Sequence, residues 1–244
     1  MRSAGGEAGA GDLELGPGDA SAALAPRARG EVLLEARGVS YAVGATEILC
    51  GVSTFLECGA PVAIIGPSGA GKTTLLRILA GRASSRARVE GAIFAGGVEV
   101  RNAAQFGAFG ALAPQDDVLL DNLTARESLA FAAELRGAAA ERVDVVLSQF
   151  GLEERADVRA AALSGGQRKR LSISLEVVHA PAVLLVDEPT SGLDAAAARS
   201  VVLGLVALAK QTRVTLGMTI HQPAAEIFFA CDHLLVLTAG RVAY

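Results

Sequence analysis

Two hydrophobic periods take turns along this chain, and the changes from one to the other outline its elements. Residues 32–41 and 48–56 read as strands joined by a turn around Gly44, Ala45 and Thr46, which predicts an antiparallel pair. Residues 61–66 are almost wholly apolar and end in Gly66, the pattern of a strand buried on both faces. Residues 72–83 change to helical spacing, 89–100 read as another hairpin and 108–114 as a short strand. From 124 to 179 the pattern is helical, broken by turns, and two helix starts are marked within it. Thr124 with Glu127, and Ser164 with Gln167, each have the Ser/Thr-x-x-Glu/Gln spacing of a capping box. Strands then return at 182–186, 214–220 and 233–237, alternating with helices at 195–210 and 223–230.

This order predicts an α/β fold. Strands that alternate with helices form a mostly parallel sheet covered on both faces. An antiparallel β subdomain precedes that sheet, and the helical stretch at about 116–179 interrupts it as an inserted subdomain. Residues 1–30, rich in Gly, Ala, Ser and Pro and without a period, read as a disordered tail before a domain at 31–244. No apolar run approaches the roughly 18 residues that cross a bilayer, so a transmembrane domain is expected to be absent from this chain.

Composition narrows the classes. Hydrophobic residues make up 51% of the 244, but Trp is absent and aromatics are 4%, so Leu, Val and Ile must carry the core. The net charge is −4 and the one basic run is Arg168-Lys169-Arg170, so no nucleic-acid partner is expected. Three dispersed cysteines, Cys50, Cys58 and Cys231, have neither disulfide nor zinc spacing and read as reduced, packed thiols.

The candidate chemistry begins at Gly66. Gly66-Pro67-Ser68-Gly69-Ala70-Gly71-Lys72-Thr73 fits G-x-x-x-x-G-K-[ST], and it lies between a predicted strand and a predicted helix, as a phosphate-binding loop must. Its glycines let successive N–H groups converge on phosphate oxygens, and the helix adds its positive dipole end. Lys72 would reach the β- and γ-phosphates of ATP, and the Thr73 hydroxyl would hold Mg²⁺. Thr74 follows in the same segment. Downstream, the apolar run 182–186 ends in Asp187 and Glu188. A buried parallel strand delivers such carboxylates at its C-terminal end, where ligands gather in open α/β sheets. Asp187 is then a Mg²⁺ partner, and Glu188 polarises the attacking water.

Leu163-Ser164-Gly165-Gly166-Gln167, about twenty residues before that pair, resembles the signature of ATP-binding cassette (ABC) proteins. The resemblance spans nearly all of 31–244 and implies a P-loop NTPase (RecA-like) core. It implies that Ser164, Gly165, Gly166 and Gln167 serve the ATP held by a second nucleotide-binding domain, in a head-to-tail homo- or heterodimer. Gln115 matches the family's Q-loop glutamine, which contacts Mg²⁺ near the surface that couples to membrane domains. Asp194 closes the D-loop match at the dimer seam, His221 matches the switch histidine on the γ-phosphate, and Tyr41 lies where the family places an adenine-stacking aromatic. Tyr41 has packing as its alternative. Gln115-Asp-Asp-Val-Leu, Arg168-Lys-Arg-Leu-Ser-Ile173 and His221-Gln-Pro223 are similar to the G (White-type) subfamily, although Leu163 and Gln167 follow the broader ABC pattern.

The resemblance implies an ATPase that powers a transporter at the cytoplasmic face of a membrane, through a transmembrane domain on another chain or in a C-terminal region beyond Tyr244. The G-type likeness implies lipids, sterols or other hydrophobic compounds as cargo. A soluble, non-transport ABC ATPase is the alternative, but the paired cassettes or coiled-coil insertion usual there are not seen. A non-catalytic subunit would not be expected to keep Lys72, Glu188, Ser164 and His221.

Overall fold

A computed structural model of the chain describes residues 28–244. The expected disordered tail therefore lies almost wholly outside the described residues. Strand β1 (Val32–Val43) pairs antiparallel with β2 (Thr46–Glu57) around the expected turn. The other edge of β1 takes β4 (Ala87–Ala95), whose hairpin partner β5 (Val98–Glu99) completes a four-stranded sheet in the order β2-β1-β4-β5.

The second sheet has six strands: β3 (Val62–Ile65), β6 (Gly110–Ala113), β7 (Val183–Val186), β8 (Thr215–Ile220), β9 (His233–Thr238) and β10 (Arg241–Val242). Their order is β10-β9-β3-β8-β7-β6, and every neighbouring pair is parallel except β10 with β9. The pleat sends alternate residues to opposite faces, and here both faces are buried. Leu184 and Val186 join the apolar cluster of the helices, whereas Val183 and Leu185 join a cluster shared with β1 and β2. Strand β7 thus reads as a continuous apolar run because each face has its own core.

Helix α1 (Lys72–Leu79) is four residues shorter than its periodicity suggests, because Ala80 departs from helical geometry and the chain turns at Gly81 with φ 66°. Helix α2 (Ala103–Gly107), too short to show a period, is capped by the Asn102 side chain, whose Oδ1 accepts from the Gln105 N–H, with Phe106 as its one buried residue.

The segment between β6 and β7 is helical: α3 (Ala125–Leu135), α4 (Arg142–Gln149) and α5 (Gly165–Val177), with two short 3₁₀ turns. Both expected capping boxes form, Thr124 with Glu127 and Ser164 with Gln167. Helices α6 (Ala195–Thr212) and α7 (Ala225–Ala230) follow, the first capped by Asp194.

Just past α5, half-buried His179 lies with Nδ1 3.3 Å from the Arg136 guanidinium. Burial first, and then the charges of Arg136 and Arg142, lower its pKa to about 4. A folded-state pKa below the unfolded value of about 6.5 means that the fold disfavours the protonated ring. Stability is therefore complete above that pH and is lost as pH falls toward 4. Urea midpoints taken at pH 7 and pH 5 should fall further in the wild type than in His179→Gln. An equal fall would show that the imidazole charges freely in the folded chain.

Candidate functional site

Four adjacent parallel strands end along one edge of the six-stranded sheet, and each is followed by a segment carrying candidate residues. Strand β3 leads into 66–73, β8 into His221, β7 into Asp187 and Glu188, and β6 into Gln115. Separate stretches of sequence converge there because parallel strands all point the same way.

The 66–73 loop is built for close approach. Gly71 caps α1 at φ 100°, and a Cβ there would lie 2.9 Å from Leu49 Cδ2. Only glycine fits both the dihedral and the space. No side chain caps α1, so its first N–H groups keep their capacity for an anion. Pro67, Ser68 and Gly69 form the exposed rim, while Ala70 is buried beneath. Lys72 is 6% exposed, and its ammonium donates to the carbonyls of Gly66 at 2.8 Å and Pro67 at 3.1 Å. Thr74, half-buried, follows in the first turn of α1.

Asp187 stands beneath the loop. Its Oδ1 accepts from Thr73 Oγ1 at 3.0 Å and from Thr219 Oγ1 at 2.7 Å. Thr219 in turn accepts from the Glu188 N–H at 2.8 Å. That bond fixes Glu188 at φ 46°, a conformation few non-glycine residues adopt, and such outliers gather at functional sites. Among the described residues the Glu188 carboxylate has no hydrogen-bond or ion-pair partner. His221, exposed at the end of β8, places Nε2 3.2 Å from Ser68 Oγ. Gln115 is exposed and donates from Nε2 to Ser191 Oγ at 3.3 Å, joining the segments after β6 and β7.

The 164–167 segment stands apart from this cluster. Ser164 Oγ accepts from the Gln167 N–H at 3.4 Å, and Gln167 Oε1 accepts from the Ser164 N–H at 3.0 Å. Ser164 and Gly165 face solvent, whereas Gly166, in the first turn of α5, is buried against the start of α6, where a Cβ would lie 3.1 Å from Ala197 Cβ. Among the described residues this segment makes no hydrogen bond to the 66–73 loop, Asp187 or Glu188. Asp194 is occupied as the cap of α6, accepting from the N–H groups of Ala196 and Ala197.

One expected residue does not present itself. Tyr41 is 8% exposed and belongs to the core between the two sheets, opposite Leu49 on β2 and Val89 on β4. Buried to that degree it packs as a core residue, the alternative reading of this position. Sequence reasoning missed Thr219, whose one signal is a hydroxyl residue near the end of a six-residue strand that is buried throughout. Beside Gln115, Val118, Leu120, Phe131 and Leu135 are 76%, 58%, 50% and 70% exposed and line a hollow of about 220 Å³. Isolated exposed apolar side chains are ordinary, but a contiguous group of this size marks a contact surface.

Comparison with known proteins gives a consistent result. The ABC transporter family profile matches residues 49–191. The chain is 40% identical over 215 residues to ABC transporter G family member 22 of Dictyostelium discoideum, covering 81% of this chain and 34% of that protein. It is 38% identical over 209 residues to ATP-binding cassette sub-family G member 5 of Rattus norvegicus, covering 81% and 32%. The chain therefore spans about a third of the length of these curated relatives. Among solved structures, cbiO1 from Clostridium perfringens, part of the ABC transporter complex cbiONQ, is similar with a TM-score of 0.76 at 26% identity, covering 88% of each chain. An ATP-binding cassette crystallised in its ADP conformation shares the fold with a TM-score of 0.77 at 24% identity, over 86% of this chain and 89% of that one.

Proposed function

Because the chain belongs to the ABC transporter family, we propose that it is the ATP-binding, ATP-hydrolysing motor domain of a membrane transporter working at the cytoplasmic face. The observation that carries this reading is the convergence of Lys72, Thr73, Asp187, Glu188, Gln115 and His221 on one sheet edge. The 66–73 loop receives the triphosphate, and Lys72 exchanges the carbonyls of Gly66 and Pro67 for phosphate oxygens. The Thr73 hydroxyl and the Asp187 carboxylate, 3.0 Å apart, with Gln115 on the adjoining segment, offer the oxygen donors that suit Mg²⁺, which would neutralise charge on the phosphates. Glu188 accepts the proton of the attacking water, and His221 contacts the transferred phosphoryl group.

The Ser164 segment completes the site of a second copy. Its helix N-terminus and serine hydroxyl suit an anion, and nothing in its own chain occupies them except the capping box. Closure of two copies around two ATP then does the mechanical work, because the nucleotide makes contacts in the closed pair that the open pair lacks. The exposed Val118, Leu120, Phe131 and Leu135 group, beside the Gln115 segment, is the surface on which a membrane domain would seat. No helix among the described residues is long and apolar enough to cross a membrane. Cargo selection falls to a transmembrane domain, on another chain or in a C-terminal region. Likeness to G family members favours a lipid or another hydrophobic compound.

Mixing two inactive variants tests the composite site. Ser164→Asp keeps a good helix cap but sets a carboxylate against the triphosphate, and Lys72→Ala disables the loop. A mixed pair has one intact site, so combining them should restore part of the ATPase activity that each lacks alone. Exchange of subunits without any recovery would refute a site shared between copies.

A further inference from the structure

The basic run Arg168-Lys169-Arg170 has no part in the function proposed above, yet each of its side chains is committed. Arg168 donates to Asp121 Oδ1 at 2.8 Å and to the Ala160 carbonyl at 2.7 Å, and Arg170 to Ser200 Oγ on α6 at 3.3 Å. Lys169 is the unusual member. Its side chain is 4% exposed, and its ammonium lies 2.7 Å from the Gln115 carbonyl oxygen and 2.6 Å from Asp117 Oδ1. That Asp117 oxygen is itself buried and, among the described residues, has no hydrogen-bond donor apart from this ion pair. A lysine is almost never buried unless paired, and removing one partner of a buried pair leaves the other charge stranded. Arg168 with Asp121 is a more exposed pair of the kind that contributes little by itself.

The geometry points to a strap: we propose that Lys169 is a positioning residue that fixes the backbone at Gln115 and binds the loop of residues 115–121 to α5. Gln115 is held twice, by its carbonyl to the helix that Ser164 begins and by its side-chain amide to Ser191 after β7. The glutamine that meets one nucleotide and the cap that meets another therefore move as one body. A shift of Gln115 on nucleotide binding is transmitted to Ser164 through one buried ammonium, one turn along α5. The kinetic consequence rests on the proposed ATPase function, whereas the strap itself does not.

Lys169→Met in the full chain tests both parts. Without nucleotide, amide hydrogen exchange should accelerate by about tenfold at Leu123 and Ala161, whose N–H groups donate to the carbonyls of Leu120 and Asp121 in the strapped loop, while β3 and α1 keep their protection. Unchanged exchange there, or acceleration spread over the whole domain, would overturn the strap. With ATP, kcat should fall about tenfold at nearly constant KM, and adding Lys169→Met to Gln115→Ala should bring no further loss. An additive loss would show that Lys169 does not act through Gln115. Should Lys169→Met fail to fold, Asp117→Asn breaks the ion pair but leaves the bond to the Gln115 carbonyl. It should give a smaller change confined to the same amides, and none at all would overturn the strap. A wild-type chain that hydrolyses no ATP would defeat the proposed function, while the exchange measurement would still decide the strap.

Discussion

Glu188→Gln should bind ATP as the wild type does and lose about 100- to 10,000-fold in turnover, the range that a general base contributes. The substitution is almost isosteric, and the hydroxyl of Thr219 accepts from the backbone N–H of residue 188, not from its side chain, so the unusual local conformation survives. Lys72, Thr73 and Asp187 make their hydrogen bonds to other groups and none to the Glu188 carboxylate, so the residues proposed to hold phosphate and Mg²⁺ keep their arrangement. The amide loses the basic oxygen that takes a proton from water. With closure driven by bound ATP and reopening dependent on hydrolysis, the variant should accumulate as a dimer in gel filtration with ATP and Mg²⁺. Undiminished turnover would remove Glu188 from the reaction.

Lys72→Ala acts one step earlier. Charge-assisted hydrogen bonds are worth about 1.5–3 kcal/mol, so ATP affinity should drop by roughly 10- to 100-fold. The buried ammonium also ties the carbonyls of Gly66 and Pro67 together, so part of the loss comes from a loop less well organised before ATP arrives. Fluorescence titration with a labelled ATP measures the affinity, and a melting curve without nucleotide separates the two contributions. Affinity equal to that of the wild type would leave the 66–73 loop without its proposed role.

Much of this arrangement can be seen in the order of the residues. The apolar run before Gly66 and the one before Asp187 announce buried parallel strands, and parallel strands place their following loops on one edge. Both capping boxes were legible because a cap is a local event, settled within four residues. What the pattern concealed depends on partners distant in the chain. Helix α1 stops early although its periodicity continues, and Gly81 after it, at φ 66°, lies so close to Asn102 that a Cβ would come within 2.5 Å of that residue's backbone. Tyr41 lies where the family resemblance places an adenine-stacking aromatic, but the pleat of β1 turns it into the core. Thr219 bonds to Asp187 from 32 residues away, and Lys169 reaches Gln115 across 54. No period or motif records contacts of that kind.

The helical insertion shares one continuous apolar cluster with α6 and one face of the parallel sheet. Ala125, Ala133, Ala156 and Ala160 enter that cluster from the insertion, each 3% exposed or less. Leu129, Val146, Leu147, Leu152 and Leu171 enter it beside them, each 1% exposed or less. A core packed without an internal boundary resists loosening in one part alone, so the insertion and the sheet are expected to lose amide protection together on unfolding.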